Sequence, residues 1–124
     1  MHNPGAFVFA RNASVYLHPH LLTKKEGIMV YFIAAIMIDP QKGAGEYEGY
    51  IRRVKPVVER YGGRYLLRSE KITPLTSRWE PDRMIVIEWD SREQLELCFN
   101  SSAYRKIAGM RENSVDSRAV IVEG

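Results

Sequence analysis

The sequence predicts an α+β fold in which helices cover one face of a small β-sheet. Residues 30–38 are apolar at nearly every position, as in a central strand that is covered on both faces. Apolar residues between Tyr47 and Tyr61 recur at spacings of three and four, which is typical of an amphipathic helix. Residues 83–89 form another apolar run. With the segments between and after these runs, the predicted order is β-α-β-β-α-β, the ferredoxin-like arrangement.

A pair of glycines marks the turn between the predicted helix and the second strand. Gly62 and Gly63 directly follow Tyr61, the last residue of the helical pattern. Glycine adopts a positive φ without steric strain, and this conformation commonly closes a helix. The sequence therefore predicts that the helix ends at these glycines and that a strand begins at Arg64.

The second and third strands are predicted to form a hairpin. The second strand would run from Arg64 to Ser77, with a bulge near Ser69. Because Pro74 has no N–H group to donate to a neighbouring strand, we expect this strand at an edge of the sheet. A polar turn then leads into the apolar residues 83–89, which are its natural hairpin partner.

Serines mark the starts of two further helices. Ser91 is followed three residues later by Gln94, which matches a capping box. Either Ser101 or Ser102 can cap the second of these helices, which is short. The last strand is predicted over residues 118–123.

The cysteine and histidine content excludes several classes of site. Cys98 is the single cysteine, so no disulfide can form within the chain. Its apolar neighbours indicate a buried thiol in a reducing, cytoplasmic compartment. All three histidines lie within the first twenty residues, which leaves the remainder without a His/Cys cluster for zinc or a histidine for haem. We therefore expect a protein without metal or cofactor.

The positive charge of the chain is concentrated near its beginning. The formal net charge is +3, but residues 1–27 hold three basic residues and one acidic residue, which leaves 15 basic and 14 acidic residues from Ile28 onward. A nearly neutral domain lacks the basic patch that a phosphate backbone requires. No apolar stretch is long enough to span a membrane. We therefore expect neither nucleic acid nor a membrane as a partner.

Residues 1–27 do not share the patterning of the rest of the chain. They combine a short apolar run, residues 6–10, with Asn, Pro and His residues. The run is too short for a secretory signal, and no small-residue cleavage site follows it. We interpret residues 1–27 as a poorly ordered extension and residues 28–124 as the folded domain, with Met29 as an alternative natural start.

The sheet face that the helices leave uncovered predicts the quaternary structure. The strands at residues 30–38 and 83–89 are apolar on both sides, so this face needs a partner other than water. A second copy of the chain supplies that cover most simply. The sequence therefore predicts a homodimer.

Several motifs occur in a characteristic order along residues 30–124. They are Tyr61-Gly62-Gly63-Arg64-Tyr65-Leu66, the run Arg83 to Trp89 followed by Asp90-Ser91-Arg92-Glu93, Asn100-Ser101-Ser102-Ala103-Tyr104, and Val120-Ile121-Val122-Glu123-Gly124. Together they resemble the domain-of-unknown-function family 1330 of the dimeric α/β-barrel superfamily. The resemblance implies two ferredoxin-like subunits packed sheet against sheet, with a pocket in each subunit between helices and sheet. Because the wider superfamily includes cofactor-independent oxygenases, isomerases and haem-binding members, the resemblance implies no single reaction.

Charged residues within the apolar strands are the first candidates for a functional site. We expect Arg64 and Arg68 to share one face of their strand, where a guanidinium group could meet the carboxylate of Glu88. A structural ion pair at the sheet end or the subunit interface is the preferred explanation. The alternative makes an arginine the anchor for an anionic or enolate-like oxygen and makes Glu88 a general base.

Side chains on the inner faces of the helices are the second group of candidates. Tyr47, Tyr50 and Tyr104 could reach a pocket with their hydroxyl groups, although such tyrosines are more often core residues. Arg111 lies on the same helical face as Tyr104, and an inward-pointing arginine requires a partner. The candidate catalytic residues are therefore Glu88 and Tyr104, and the candidate ligand contacts are Arg64, Arg68, Tyr47 and Arg111.

These candidates leave three classes of function open. The first is a small enzyme, a metal-free oxygenase or isomerase that acts on a small organic anion or carbonyl compound. The second is a non-catalytic dimeric module that binds a small ligand, and the third is a structural dimer without a ligand. An anionic ligand is favoured because the predicted site offers more arginine than carboxylate.

Overall fold

The computed structural model describes residues 5–9, 28–39, 41 and 45–124 of the chain. The elements in this part of the chain are β1 (Val30–Ile38), α1 (Tyr47–Arg60), β2 (Arg64–Ser69), β3 (Arg83–Trp89), α2 (Arg92–Phe99), α3 (Ser102–Glu112) and β4 (Val115–Glu123). The strands form one antiparallel sheet in the order β2-β3-β1-β4. The predicted α+β ferredoxin-like fold is confirmed, with α2 and α3 together in the place of the second helix.

Alternate residues of the central strand β1 face the two sides of the sheet. Phe32, Ala34 and Ile36 are buried in the core that the sheet shares with the helices. Tyr31 and Ile33 point to the other side and are half-buried. We call the first side the helix face and the second the outer face.

Helix α1 ends at the predicted glycine pair, and the two glycines are needed for different reasons. Gly62 has a φ of +94°, a conformation that residues with a side chain rarely adopt. Gly63 instead packs closely, because a Cβ atom there would lie 2.5 Å from Val58 and 2.9 Å from Trp89. This turn therefore brings the end of α1 tightly against β3.

The serine caps predicted for the two later helices are confirmed. Ser91 Oγ accepts a hydrogen bond from the backbone N–H of Gln94 at 3.2 Å. Ser101 Oγ accepts one from the backbone N–H of Tyr104 at 3.1 Å, so Ser101 is the cap of α3. Strand β4 begins at Val115, somewhat earlier than the sequence predicts.

Strand β2 is shorter than predicted, although it does lie at a sheet edge. It ends at Ser69 instead of continuing to residue 77, because the Ser69 hydroxyl accepts a hydrogen bond from the N–H two residues later and so forms a turn. Pro74 cannot extend the strand pairing, and residues 73–80 are exposed. The bulge of this strand lies at Leu66, not near Ser69.

The bulge places Arg64 and Arg68 on opposite faces of the sheet. Arg64 pairs with Glu88, whereas Arg68, beyond the extra residue Leu66, pairs with Ile85. Ile85 belongs to the buried core, so Arg68 lies on the helix face. The expectation that the two arginines share a face is wrong, because it assumed an unbroken alternation along β2.

Residues 5–9 pack against the core. The ring of Phe7 lies edge-on to the rings of Phe32 and Phe99, with centroid distances of 5.2 and 5.9 Å. The rest of the N-terminal segment up to residue 27, which includes all three histidines, lies outside the described residues. The boundary between an extension and a folded domain therefore stays a prediction.

The outer face of the sheet is apolar and partly exposed. Ile33 pairs with Val86 on one side and with Val120 on the other. Val120 and Val122 of β4 have 57% and 43% of their surface exposed. Apolar side chains thus line the outer face across three adjacent strands.

Candidate functional site

A small cavity lies between α1 and the helix face of the sheet. Its volume of about 20 Å³ is enough for about one water molecule. Arg111 is the charged residue in its wall. Phe7, Phe32, Tyr47, Tyr50, Tyr65 and Phe99 supply the aromatic part of the wall.

Arg111 of α3 has a fixed position inside the core, where it is 2% exposed. Its Nε donates a hydrogen bond to Tyr104 Oη at 3.3 Å, and its Nη1 donates to Ser117 Oγ. Its Nη2 lies 3.6 Å from a carboxylate oxygen of Glu112. The guanidinium group is therefore held by α3 and β4 together.

Residues 5–9 close the cavity over Arg111. The carbonyl oxygen of Gly5 accepts a hydrogen bond from Nη1 of Arg111 at 2.8 Å. The ring of Phe7 lies over the guanidinium group, with 3.7 Å between the ring centroid and the guanidinium carbon. Such a contact is a cation–π interaction. An aromatic ring that lines the cavity and a backbone acceptor oxygen therefore both contact Arg111.

Two tyrosine hydroxyls extend the polar groups of Arg111, and one of these tyrosines, Tyr50, lines the cavity. Tyr50 Oη and Tyr104 Oη share a hydrogen bond of 2.9 Å. Burial raises the pKa of both phenols, and the charge of Arg111 opposes this rise. Both groups are therefore neutral near pH 7 and can donate a proton in a hydrogen bond. Arg111, Tyr104 and Tyr50 together can stabilise negative charge on an oxygen atom.

Tyr47 and Arg68, two predicted ligand contacts, also lie on the helix face. Tyr47 Oη and Arg68 Nη1 are buried without a hydrogen-bond partner among the described residues. Burial raises the pKa of Tyr47 to about 12, against the opposing charges of Arg83, Arg111 and Arg68. The guanidinium carbon of Arg68 lies 5.1 Å from the ring centroid of Tyr65. Positive charge is therefore concentrated around the Tyr47 phenol.

Glu88 and Arg64 do not join this group. Glu88 lies between Ile87 and Trp89, which are both buried in the core, so its side chain points to the outer face. There its Oε1 lies 3.1 Å from Nε of Arg64, and Nη2 of Arg64 lies 3.0 Å from Asp90. The structure thus brings Tyr47, Arg68, Tyr104 and Arg111 to one face and leaves the Glu88–Arg64 ion pair on the other.

The comparison with protein families identifies the domain. The family model for the domain of unknown function DUF1330 matches residues 29–124. The chain belongs to the DUF1330 family. No curated protein matches the chain.

Three solved structures resemble the DUF1330 protein. A protein of unknown function from Rhodopseudomonas palustris is 19% identical, with a TM-score of 0.63, and the match covers 91% of this chain and 93% of that one. A variant of SnoaB, a cofactor-independent oxygenase from Streptomyces nogalater, is 11% identical, with a TM-score of 0.57 and coverage of 76% and 90%. A dimeric ferredoxin-like protein of unknown function from a Jannaschia species is 9% identical, with a TM-score of 0.54 and coverage of 76% and 97%. At these identities the likeness shows the fold and not an activity.

Two residues that contact or border the site of the DUF1330 protein are not among the candidates predicted from its sequence. Arg83 pairs with Ile36, a core residue of β1, and so faces the helices. The alternation of residues 83–89 carried this signal, since it sets Arg83 on the face of Ile85. Phe7 had no such signal, because residues 1–27 show no periodicity.

Three other features of the DUF1330 protein concern its cysteine, metal binding and the membrane. Cys98 is buried, and burial raises the pKa of its thiol to about 12, which makes it a poor nucleophile. The described residues contain no group of three or more His, Cys, Asp or Glu residues placed to hold a metal ion. None of the helices in the described part of the chain is long and apolar enough to cross a membrane.

Proposed function

We propose that the DUF1330 protein binds a small organic anion or carbonyl compound in the cavity beside Arg111. The observation that carries the proposal is the buried guanidinium group in an aromatic-lined cavity. The ring of Phe7 and the carbonyl oxygen of Gly5 already contact this group from the same chain. A free aromatic acid or aromatic ketone presents the same two groups, a ring and an acceptor oxygen, and would replace them.

The ligand would enter by displacing residues 5–9 from Arg111. With Phe7 in place, a cavity of about 20 Å³ holds about one water molecule and no second ring. Phe7 is only half-buried, so it leaves the core more easily than a fully enclosed ring. The apparent affinity for a ligand is then reduced by the fraction of molecules in which Phe7 covers the site.

We further propose that two protomers associate through their outer sheet faces. The exposed valines of β4 and the neighbouring apolar residues of β1 and β3 support this contact. Exposed apolar patches of this kind mark association surfaces. The similar Jannaschia protein is described as dimeric, which agrees with the proposal.

Two candidate functions, one catalytic and one non-catalytic, follow from the same cavity. The donors of Arg111, Tyr104 and Tyr50 could stabilise an enolate oxygen, as a metal-free oxygenase or isomerase requires. SnoaB, which has a similar fold, is a cofactor-independent oxygenase. Glu88, the base predicted from the sequence, faces away from the cavity, and this favours the second candidate, a non-catalytic ligand-binding module.

Binding is tested by calorimetric titration of the full chain with benzoylformate, which carries an aromatic ring, a ketone and a carboxylate. Arg111→Met removes the charged hydrogen-bond donors and should weaken binding about tenfold or more. Lys106→Met, at an exposed position of the same helix, is the matched control and should bind as the wild type does. If Arg111→Met does not fold, Tyr104→Phe removes the neighbouring donor with less disturbance.

Unchanged affinity in a folded Arg111→Met or Tyr104→Phe protein would overturn the proposed site. Deuterium exchange at the methylene group of phenylpyruvate, followed by NMR, distinguishes the catalytic candidate function from the non-catalytic one. Exchange faster than in buffer, and slowed by Tyr104→Phe, would indicate catalysed enolisation. Exchange at the buffer rate would support the non-catalytic module.

A further inference from the structure

Of the buried donor atoms that have no hydrogen-bond partner among the described residues, three belong to Tyr47 and to the arginines around its phenol. They are Oη of Tyr47, Nη1 of Arg68 and Nε of Arg83. A phenol at neutral pH and two guanidinium groups all donate hydrogen bonds, and guanidinium groups cannot accept them. Buried donors without an acceptor are costly, so a group of three in one region indicates an acceptor supplied by a ligand.

The sheet brings the two arginines together beside Tyr47. Arg68 of β2 pairs with Ile85 of β3, and Arg83 lies two residues before Ile85 on the same face. Side chains in this diagonal relation start about 7–8 Å apart, within reach of long side chains. Tyr47 is 2% exposed, and the charges of both arginines oppose the effect of burial on its pKa. The phenol and the two guanidinium groups therefore belong to one region.

Arg68 differs from the other two arginines of this region in its charge partner. Arg83 pairs with Glu70 at 3.3 Å, and Arg111 lies 3.6 Å from Glu112. The contact of Arg68 within the described part of the chain is with an aromatic ring, which carries no net charge. Arg68 therefore has no carboxylate within ion-pair distance among the described residues, whereas Arg83 and Arg111 each have one. A ligand with a negatively charged group would supply the missing partner of Arg68.

We propose that Tyr47, Arg68 and Arg83 form a carboxylate-binding subsite for the acid group of the ligand. Two guanidinium donors and one phenol donor suit the two oxygens of a carboxylate, which accept several hydrogen bonds. The inference rests on the proposed function, because it concerns the same ligand. It specifies the ligand as a carbonyl acid, a compound that carries both a carbonyl group and a carboxylate.

The two adjacent oxygen-bearing groups of a carbonyl acid fit the two groups of donors. The rings of Tyr47 and Tyr50 stack with 5.8 Å between their centroids, and Tyr50 shares its hydroxyl hydrogen bond with Tyr104. The Tyr47 ring therefore lies beside the tyrosine whose hydroxyl meets that of Tyr104. The acid group lies at Tyr47, and the carbonyl oxygen lies at Arg111.

The experiment compares benzoylformate with its methyl ester, because the ester keeps the ring and the ketone but has no charge. The wild type should bind the acid about tenfold more tightly than the ester, since the acid makes charge-assisted hydrogen bonds. Arg68→Met and Tyr47→Phe should abolish this preference and leave the affinity for the ester unchanged. Arg60→Met, at an exposed position at the end of α1, should keep the preference of the wild type.

Each outcome of this comparison has a distinct meaning. A full preference for the acid in folded Tyr47→Phe and Arg68→Met proteins would overturn the subsite. The proposed function would still stand in that case if Arg111→Met weakened the binding of both compounds. Failure of Arg111→Met to weaken either compound would overturn both. Displacement of benzoylformate by inorganic phosphate at a lower concentration than by acetate would reassign the subsite to a phosphate-bearing ligand. Tyr47→Phe keeps the test decisive if Arg68→Met does not fold.

Discussion

Tyr47 and Tyr50 occupy similar positions on α1, but their hydroxyl groups have opposite effects on stability. The hydroxyl of Tyr50 is bonded to that of Tyr104 at 2.9 Å. The hydroxyl of Tyr47 is buried without a partner among the described residues. A buried polar group without a partner lowers stability, whereas a hydrogen-bonded one contributes to it. In the ligand-free protein, the hydroxyl group of Tyr47 therefore lowers the stability of the fold, and it leaves a hydrogen-bond donor available to a ligand.

Tyr47→Phe should raise the free energy of unfolding of the ligand-free protein by about 1 kcal/mol, because it removes an unsatisfied group. Tyr50→Phe is the matched control and should lower it by about the same amount, because it breaks a hydrogen bond. Urea denaturation of both variants measures the difference. Equal destabilisation by the two substitutions would mean that the Tyr47 hydroxyl has a partner in the protein.

The sequence indicates some of these residues and not others, for physical reasons. Tyr104 and Arg111 are seven positions apart in one helix, so their common inward face follows from helical spacing. The face of Arg68 could not be predicted, because it depends on a bulge that hydrophobic alternation does not encode. Phe7 could not be predicted either, since a segment without periodicity shows its role only through contacts distant in sequence.

The N-terminal segment and the strands of the sheet differ in how firmly they are connected to the core. Residues 5–9 contact Arg111, Phe32 and Phe99 through two rings and one carbonyl group. The strands, by contrast, are joined by continuous backbone pairing. The segment therefore makes fewer contacts than the strands do, which supports its proposed displacement from the site.

Phe7→Ala should increase the affinity for benzoylformate and lower the stability of the ligand-free protein. The gain reflects the loss of an internal competitor for Arg111. The loss of stability should stay below about 3 kcal/mol, because Phe7 is half-buried and larger losses are typical of enclosed rings. Val8→Ala, at an exposed position of the same segment, should change neither quantity. Weaker binding by Phe7→Ala would mean that the ring is part of the binding site instead of a competitor.

A chain that begins at Met29 should fold and dimerise. It keeps every strand and helix of the described structure, including the hydrogen bond from the Gly124 N–H to the Met29 carbonyl at 2.9 Å. Its melting temperature should fall by several degrees, because the contacts of Phe7 are lost. Thermal denaturation monitored by circular dichroism measures this change. A chain from Met29 that does not fold would show that the N-terminal segment is an essential structural element.

The elements with a clear apolar pattern were predicted almost to the residue, and the edge strand β2 was not. β1, α1 and β3 match their predicted positions, because burial imposes a regular pattern on each of them. The end of β2 was predicted too late, because residues 70–77 continue a strand-like composition although Pro74 blocks further pairing. Pairing in an edge strand depends on one neighbour only, so composition alone specifies it poorly.

The outer sheet face is the contact surface of the proposed dimer. It carries Ile33, Val86, Val120 and Val122 on adjacent strands, with the Glu88–Arg64 ion pair toward one end. A two-fold contact places the same patch on both partners. The ion pair would then limit how the two sheets slide against each other, while the apolar residues provide most of the stabilisation.

Val120→Lys should convert the dimer to a monomer, because a dimer with two-fold symmetry buries the new charge twice. Light scattering of the wild type should give twice the chain mass, and the variant should give the chain mass. Leu97→Lys, at an exposed position of α2 on the opposite side of the sheet, is the matched control and should remain dimeric. A wild type that is monomeric at micromolar concentration would contradict the proposed association.

The bulge in β2 also makes this strand unusually tolerant of a change in length. In a regular strand, deletion of one residue turns every following side chain to the other face. Leu66 is the extra residue of the pairing between β2 and β3, so a chain without it would still set Leu67 opposite Val86 and Arg68 opposite Ile85. Related chains that lack this residue would therefore keep the arginine on the helix face. In a comparison of related sequences, the extra residue at position 66 should be treated as the dispensable one.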